Sequence, residues 1–329
     1  MDPVSQAAFG ASWAQQAAGR GRTAAAAAVG GAAAMAPDLD TLIRSPTDPL
    51  LFLEYHRQFT HALSFIPVGA LLVAVPLYWL TRRRLGFAET YLFAFLGYAS
   101  HGLLDACTSY GTQLLWPFSD TRVAWSNVSV VDPLFTLPVL GLVALAAARR
   151  QPRYARLALM WAAAYLTLGV VQRERAEAAG ADIAASRGHV PQRLEAKPAL
   201  ASLVLWKVIY EHDGRYYVDA VRTGFDTRVH AGDSIEKLDL AKHFPWLDRS
   251  SQQARDVERF RRISDGFLSP DPRVPGRIVD LRYSMVPNEI DAFWAVVLDS
   301  GAAPDEHADF VTTRERAPEQ AVRLLDMMF

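Results

Sequence analysis

HRQFTHALSFIPVGALLVAVPLYWL, His56 to Leu80, joins a polar hexapeptide directly to an apolar run. From Ala62 to Leu80 the run carries no charge, and as a helix rising about 1.5 Å per residue it nears the roughly 30 Å of bilayer hydrocarbon. The combination recurs in YLFAFLGYASHGLLDACT, Tyr91 to Thr108, which is apolar apart from His101 and Asp105. Leu134 to Ala148 and Leu157 to Val171 are shorter and reach spanning length only with their flanks. Four such segments in quick succession favour a membrane domain over the core helices of a soluble bundle.

Positive charge orients the spans. TRRRLGF (Thr81 to Phe87) and RRQPRYAR (Arg149 to Arg156) are short basic links, expected on the cytoplasmic side. The opposite link, Ser109 to Asp132, then lies outside and carries Tyr110, Trp116, Phe118 and Trp125, as an interfacial aromatic belt would. Thr23 to Met35 is Ala/Gly-rich and too short to span, which suits a re-entrant or interfacial helix packed through small residues.

This orientation gathers the polar clusters on one outer surface: His56 and His61 before the first span, His101 and Asp105 in the second, Asp132 at the start of the third, and Asp38 and Asp40 after the N-terminal helix. Ionisable residues in or beside hydrocarbon are costly and by default functional. His101 and Asp105, four apart on a helix, share a face and can bind one ion, or pair structurally. His56 and His61 are five apart and diverge on a regular helix. His61 is the favoured ligand, with His56 a second ligand or a proton-transfer group. Arg57 could hold an anionic substrate oxygen or anchor at lipid head groups. If the chain is extended after Pro37, Asp38 and Asp40 point the same way and both can meet a cation; a helix cap is the alternative. Asp132 before Pro133 reads equally as an N-cap or a ligand. Histidines together with carboxylates suit zinc, or another divalent transition metal, better than calcium.

PDLD (Pro37 to Asp40), HRQFTH (His56 to His61) and GYASHGLLDACTSYGTQLLWPFS (Gly97 to Ser119) together resemble the inner-membrane, LexA-binding-type metal-dependent hydrolases, over roughly Met1 to Ala148. The resemblance implies a multi-pass protein of the bacterial inner membrane, a divalent metal and hydrolytic chemistry, with a distant likeness to zinc-dependent phospholipase C enzymes. One departure is Gln6, where shorter members carry a histidine.

The remaining chain differs in kind. Leu203 to Tyr210 and Tyr216 to Arg222 read as strands around the hairpin signal Asp213-Gly214, Ala254 to Ile263 as a helix, and Arg277 to Tyr283 and Ala292 to Leu298 as further strands. The expected organisation is an α-helical multi-pass membrane domain (1–172), a linker (173–198) that begins helical and then becomes irregular, and a smaller soluble α+β domain (199–329), the last on the periplasmic side with the site. Lys and Arg total 34 against 35 Asp and Glu, giving no electrostatic footprint for nucleic acid. The single cysteine, Cys107, forms no internal disulfide, MDPVSQ lacks the basic start of a signal peptide, and no GxxxxGK[ST] loop points to nucleotide chemistry.

The function expected is a membrane-bound metal-dependent hydrolase. In it His61, His101 and Asp105, with Asp38 or Asp40, hold zinc; His56 moves a proton and Arg57 stabilises negative charge. Membrane lipids surround it, and the substrate is an ester or phosphoester, lipid-derived in one version. A non-catalytic metal-binding or transport protein, and a membrane-anchored assembly module, are the competing classes. Transport predicts further ionisable residues toward the cytoplasmic ends of the spans, and those halves are apolar.

Overall fold

Asp2 starts the first helix, its carboxylate accepting from the Val4 and Ser5 amides with Pro3 in the first turn. This computed structural model describes residues 1–313 and 317–328. Two units divide the chain: Met1–Ile43 with Tyr55–Val170, and Arg44–Glu54 with Val171–Phe329.

In the first unit, α1 (Pro3–Ala17) and α2 (Thr23–Met35) are both rich in small residues. A Cβ on Gly30 would stand 2.7 Å from the Gly10 carbonyl oxygen, and one on Gly97 would stand 2.1 Å from the Gly30 carbonyl oxygen. Backbones therefore touch where these helices cross, the packing that small residues permit. The sequence reading has no helix at Pro3–Ala17, whose Ser, Gln and Ala composition lacks apolar contrast. A 3₁₀ segment, Pro37–Leu42, follows α2 in place of the expected extended chain. Next come α3 (Leu51–Tyr55) and two short 3₁₀ turns, Phe59–His61 and Leu63–Phe65.

Helices α4 (Ile66–Thr81), α5 (Phe87–Ala106), α6 (Pro133–Arg149) and α7 (Arg153–Ser186) occupy the four predicted apolar segments. Among the described residues two helical stretches are long and apolar enough to cross a membrane, Leu63–Thr81 and Arg153–Ser186; Pro133–Arg149 is apolar but shorter. Leu72, Trp79, Leu80, Leu134, Leu137 and Met160 are exposed on these helices, the pattern of side chains that would face lipid.

The second unit takes over α7 at Val171. The segment 173–198, expected as a linker that begins helical and then becomes irregular, is the end of α7 followed by strand β1 (Arg193–Pro198). Ala, Glu and Arg dominate Arg173 to Ala185 and are strong helix formers, so charge there marks a solvated helix rather than a break. β2 (Leu205–His212) and β3 (Arg215–Thr223) form the predicted hairpin, with Asp213 and Gly214 both at positive φ, as a type I′ turn requires. β1, β2, β3 and β4 (Thr227–His230) lie in that order, and β5 (Ser234–Glu236) also pairs with β3. After α8 (Leu240–His243) and α9 (Gln252–Ile263), a second antiparallel sheet runs β6 (Leu268–Pro270), β7 (Arg277–Asp280), β8 (Trp294–Val297), β9 (Asp309–Thr312). The last helix is α10 (Ala317–Met328). Leu50, from the Arg44–Glu54 excursion, is buried among Val257, Phe260 and Ile278.

Candidate metal centre

Near its C-terminal end α5 presents His101 and Asp105 on one face, four residues apart. Gly102, between them, lets the chain of the Phe59–His61 turn close on the helix: a Cβ there would stand 2.4 Å from the His61 carbonyl oxygen. His61 Nε2 thereby comes within 2.9 Å of His101 Nε2. Asp38, from the 3₁₀ segment after α2, places Oδ1 at 3.5 Å from His61 Nε2 and 3.4 Å from His101 Nε2. Asp105 Oδ2 stands 3.5 Å and 3.8 Å from the same two nitrogens. Ligands at about 2.1 Å around a tetrahedral ion sit about 3.4 Å apart, so these four atoms have the spacing of a coordination shell. Asp38, His61, His101 and Asp105 could hold a metal ion.

Each imidazole is held from behind. His101 Nδ1 donates to the Ala34 carbonyl at 2.5 Å. The Nδ1 of His61 donates to Thr60 Oγ1 at 2.9 Å and lies 3.3 Å from Asp40 Oδ2. Such partners fix the tautomer that turns Nε2 toward the centre. Asp40 is the hub of this outer layer: it accepts from His56 Nδ1 at 2.7 Å, Thr60 Oγ1 at 2.7 Å and the Arg57 amide at 3.1 Å. In a 3₁₀ segment, with three residues per turn, side chains two apart diverge. Asp38 and Asp40 therefore address opposite edges of His61.

Electrostatics favour a cation. Asp105 is fully buried; its Oδ1 accepts from Gln6 Nε2 at 2.9 Å and from the Met1 amine. Its Oδ2 pairs with Arg57 Nε at 3.0 Å but makes no aligned hydrogen bond among the described residues. Burial disfavours a charge on His61, yet Asp105, Asp38 and Asp40 overcome it and raise the imidazole to about 10. Burial works against the Asp38 and Asp40 carboxylates too, but the histidines beside them hold both well below the usual range. This negative pocket would be relieved by a divalent ion.

A family model described as YdjM inner membrane protein matches residues 1–176, more than half of the 329-residue chain. The chain belongs to the YdjM inner membrane protein family. Every residue of the cluster lies inside the matched segment. The uncharacterized protein YfhP of Bacillus subtilis (strain 168) is 28% identical over 114 residues, 35% of this chain and 34% of that one. The match thus spans about a third of that relative's length. No solved structure matches.

In this YdjM family chain the remaining predicted residues fall into separate places. His56, its side chain 27% exposed, touches the cluster through Asp40. Arg57, buried and at φ +67°, donates from Nη1 to Thr108 Oγ1 at 3.0 Å and stacks 4.9 Å above the Tyr110 ring. Its guanidinium lies beside Asp105, with Nε 3.0 Å from Asp105 Oδ2. Asp132 caps α6 through the Leu134 and Phe135 amides and accepts from Tyr165 Oη at 2.8 Å; it is not among the residues gathered at the centre. Sequence reasoning gave Thr60 and Thr108 no role, although both lie in the motifs that carry the resemblance, and nothing in the residue pattern marks the Ala34 carbonyl. Gln6 was visible only as a departure from the resembled pattern, and its side chain does reach Asp105.

Proposed function

We propose that this protein is an inner-membrane, zinc-dependent hydrolase acting on an ester or phosphoester. The observation that carries this reading is the gathering of two imidazole nitrogens and two carboxylate oxygens within 4.8 Å of one another, with Asp105 Oδ2 making no hydrogen bond among the described residues. Two nitrogens and two oxygens in that arrangement suit zinc. A zinc ion there supplies acidified water and a positive charge that polarises the scissile group.

His61, His101 and Asp105 have no exposed side-chain surface, whereas Asp38 is 29% exposed. Water and substrate therefore approach from the Asp38 side. His56, also partly exposed and oriented by Asp40, accepts and returns the proton. Arg57 holds Asp105 and balances its charge. The four predicted spans, with this centre at their outer ends, complete the proposed topology.

A second reading, a metal-holding protein without catalysis, is favoured by one feature: four protein ligands already close a tetrahedron, as in structural zinc sites. Metal analysis of the detergent-purified full chain, wild type against His101→Ala and Asp105→Ala, tests the site. Unchanged metal content in both variants would sink it. A screen of phosphoesters and phospholipids with the loaded protein then separates the readings, because bound metal without turnover leaves only the second.

A further inference from the structure

The β3–β4 hairpin turns through Gly224, Phe225 and Asp226, and Phe225 is exposed at 113% of its reference area. A phenyl ring held entirely in water on a hairpin tip gains nothing for the fold. The tip is nonetheless positioned. Gln172 Nε2 donates to the Thr223 carbonyl at 2.7 Å, and Arg175 Nη2 to the Gly224 carbonyl at 2.8 Å. The Thr223 amide donates to the Val204 carbonyl at 2.6 Å, and Arg222 Nε to the Met328 carbonyl at the end of α10 at 3.0 Å. One corner of the second unit therefore assembles around Thr223, and Val171 beside Gln172, Val204 and Phe225 are exposed.

The position of this corner along α7 decides what covers it. Gln172 directly follows Val171, the last residue of the apolar run Leu157 to Val171, and Arg175 is less than one helical turn further on. If α7 crosses the bilayer, that run ends at the hydrocarbon boundary, and a hairpin bonded to residues 172 and 175 lies at the depth of the head groups. An apolar ring is buried favourably at that depth, and Arg228, exposed on β4, can meet lipid phosphates there.

We propose that this corner is a membrane-docking surface: Phe225 inserts into the interfacial layer of the same bilayer that α7 enters. The proposal rests on the membrane reading of α7 and is independent of the metal centre.

The test uses the full chain in nanodiscs of phosphatidylglycerol and phosphatidylcholine. Single cysteines in a Cys107→Ala background are labelled with an environment-sensitive fluorophore: Phe225→Cys at the tip, Met160→Cys on the exposed face of α7, and Glu258→Cys on α9. Spin-labelled lipids carrying the quencher near the head group report contact. The expected result is blue-shifted emission at position 225, with quenching several-fold greater than at 258. Quenching at 160 with none at 225 overturns the docking surface while leaving α7 in the membrane. A shielded but unquenched label at 225 means a protein surface covers it, which also overturns the proposal. No quenching at 160 removes the membrane reading of α7 and the proposal with it.

Discussion

His61 and His101 point their Nε2 atoms at each other across 2.9 Å while their Nδ1 atoms are bonded outward, to Thr60 and to the Ala34 carbonyl. Two imidazoles aimed at one point, with carboxylates flanking them, are an arrangement whose outer partners matter nearly as much as its ligands.

Asp40 is the outer partner most easily tested. Asp40→Asn keeps its volume but removes the charge that orients His56, Thr60 and His61. Metal affinity should fall about 10–100-fold, read by competition with a chromophoric chelator. Asp132→Asn, at the α6 cap, should leave that affinity unchanged. Equal losses in both variants would count against the assignment of Asp40 to this centre.

Gly102 sets the approach of His61 to α5. In Gly102→Ala the new Cβ meets the His61 carbonyl at 2.4 Å, a backbone atom with little freedom to move. Bound metal should drop sharply while far-ultraviolet circular dichroism keeps its helical signal. Gly141→Ala, with open space around its Cβ, serves as the control and should retain metal.

Lys207 on β2 is 4% exposed and donates to Ser284 Oγ at 2.9 Å and the Glu289 carbonyl at 2.8 Å. Burial pushes its ammonium down to about 7 from the ordinary 10.5, against the opposing pull of Asp280 and Glu289. Between those values the unfolded chain takes a proton that the folded one declines. Stability should therefore fall as pH drops from about 10.5 to 7, by up to about 1.4 kcal/mol per unit, and level off below 7. Lys207→Met should flatten that slope and stabilise the domain at neutral pH, as followed by hydrogen exchange of the slowest β2 and β3 amides.

Arg259 gathers the acidic groups of the second unit, bonding Asp48 at 2.9 Å, Glu54 at 2.8 Å and fully buried Asp256 at 2.9 Å. Arg259→Ala removes the cation these three carboxylates share and should destabilise the second unit, seen as faster proteolysis within Arg44–Glu54. Arg259→Lys should recover only part of the loss, since an ammonium cannot reproduce the forked contacts to Asp48.

The four apolar helices, the His101–Asp105 pair and the Asp213-Gly214 hairpin were legible because each depends on local periodicity or turn chemistry. Helix α1 was not, since its burial comes from glycine contacts with α2 and α5 rather than from an apolar stripe. The segment 173–198 reads as a linker that begins helical and then becomes irregular; the helical start matches the end of α7, and strand β1 lies where irregular chain is expected, since a short strand of mixed charge carries no apolar alternation. Arg57 was legible by type alone, since only packing shows that Asp105, Thr108 and Tyr110 lie against its guanidinium.

By itself the sequence determined which residue types could carry chemistry, and that His101 and Asp105 share a helical face, because that follows from 3.6 residues per turn. Tertiary structure alone decided that Asp38 meets His61 and His101 while Asp40 stands behind them. Those carboxylates are two residues apart, and only the turn the backbone makes after α2, with the close approach at Gly102, tells inside from outside.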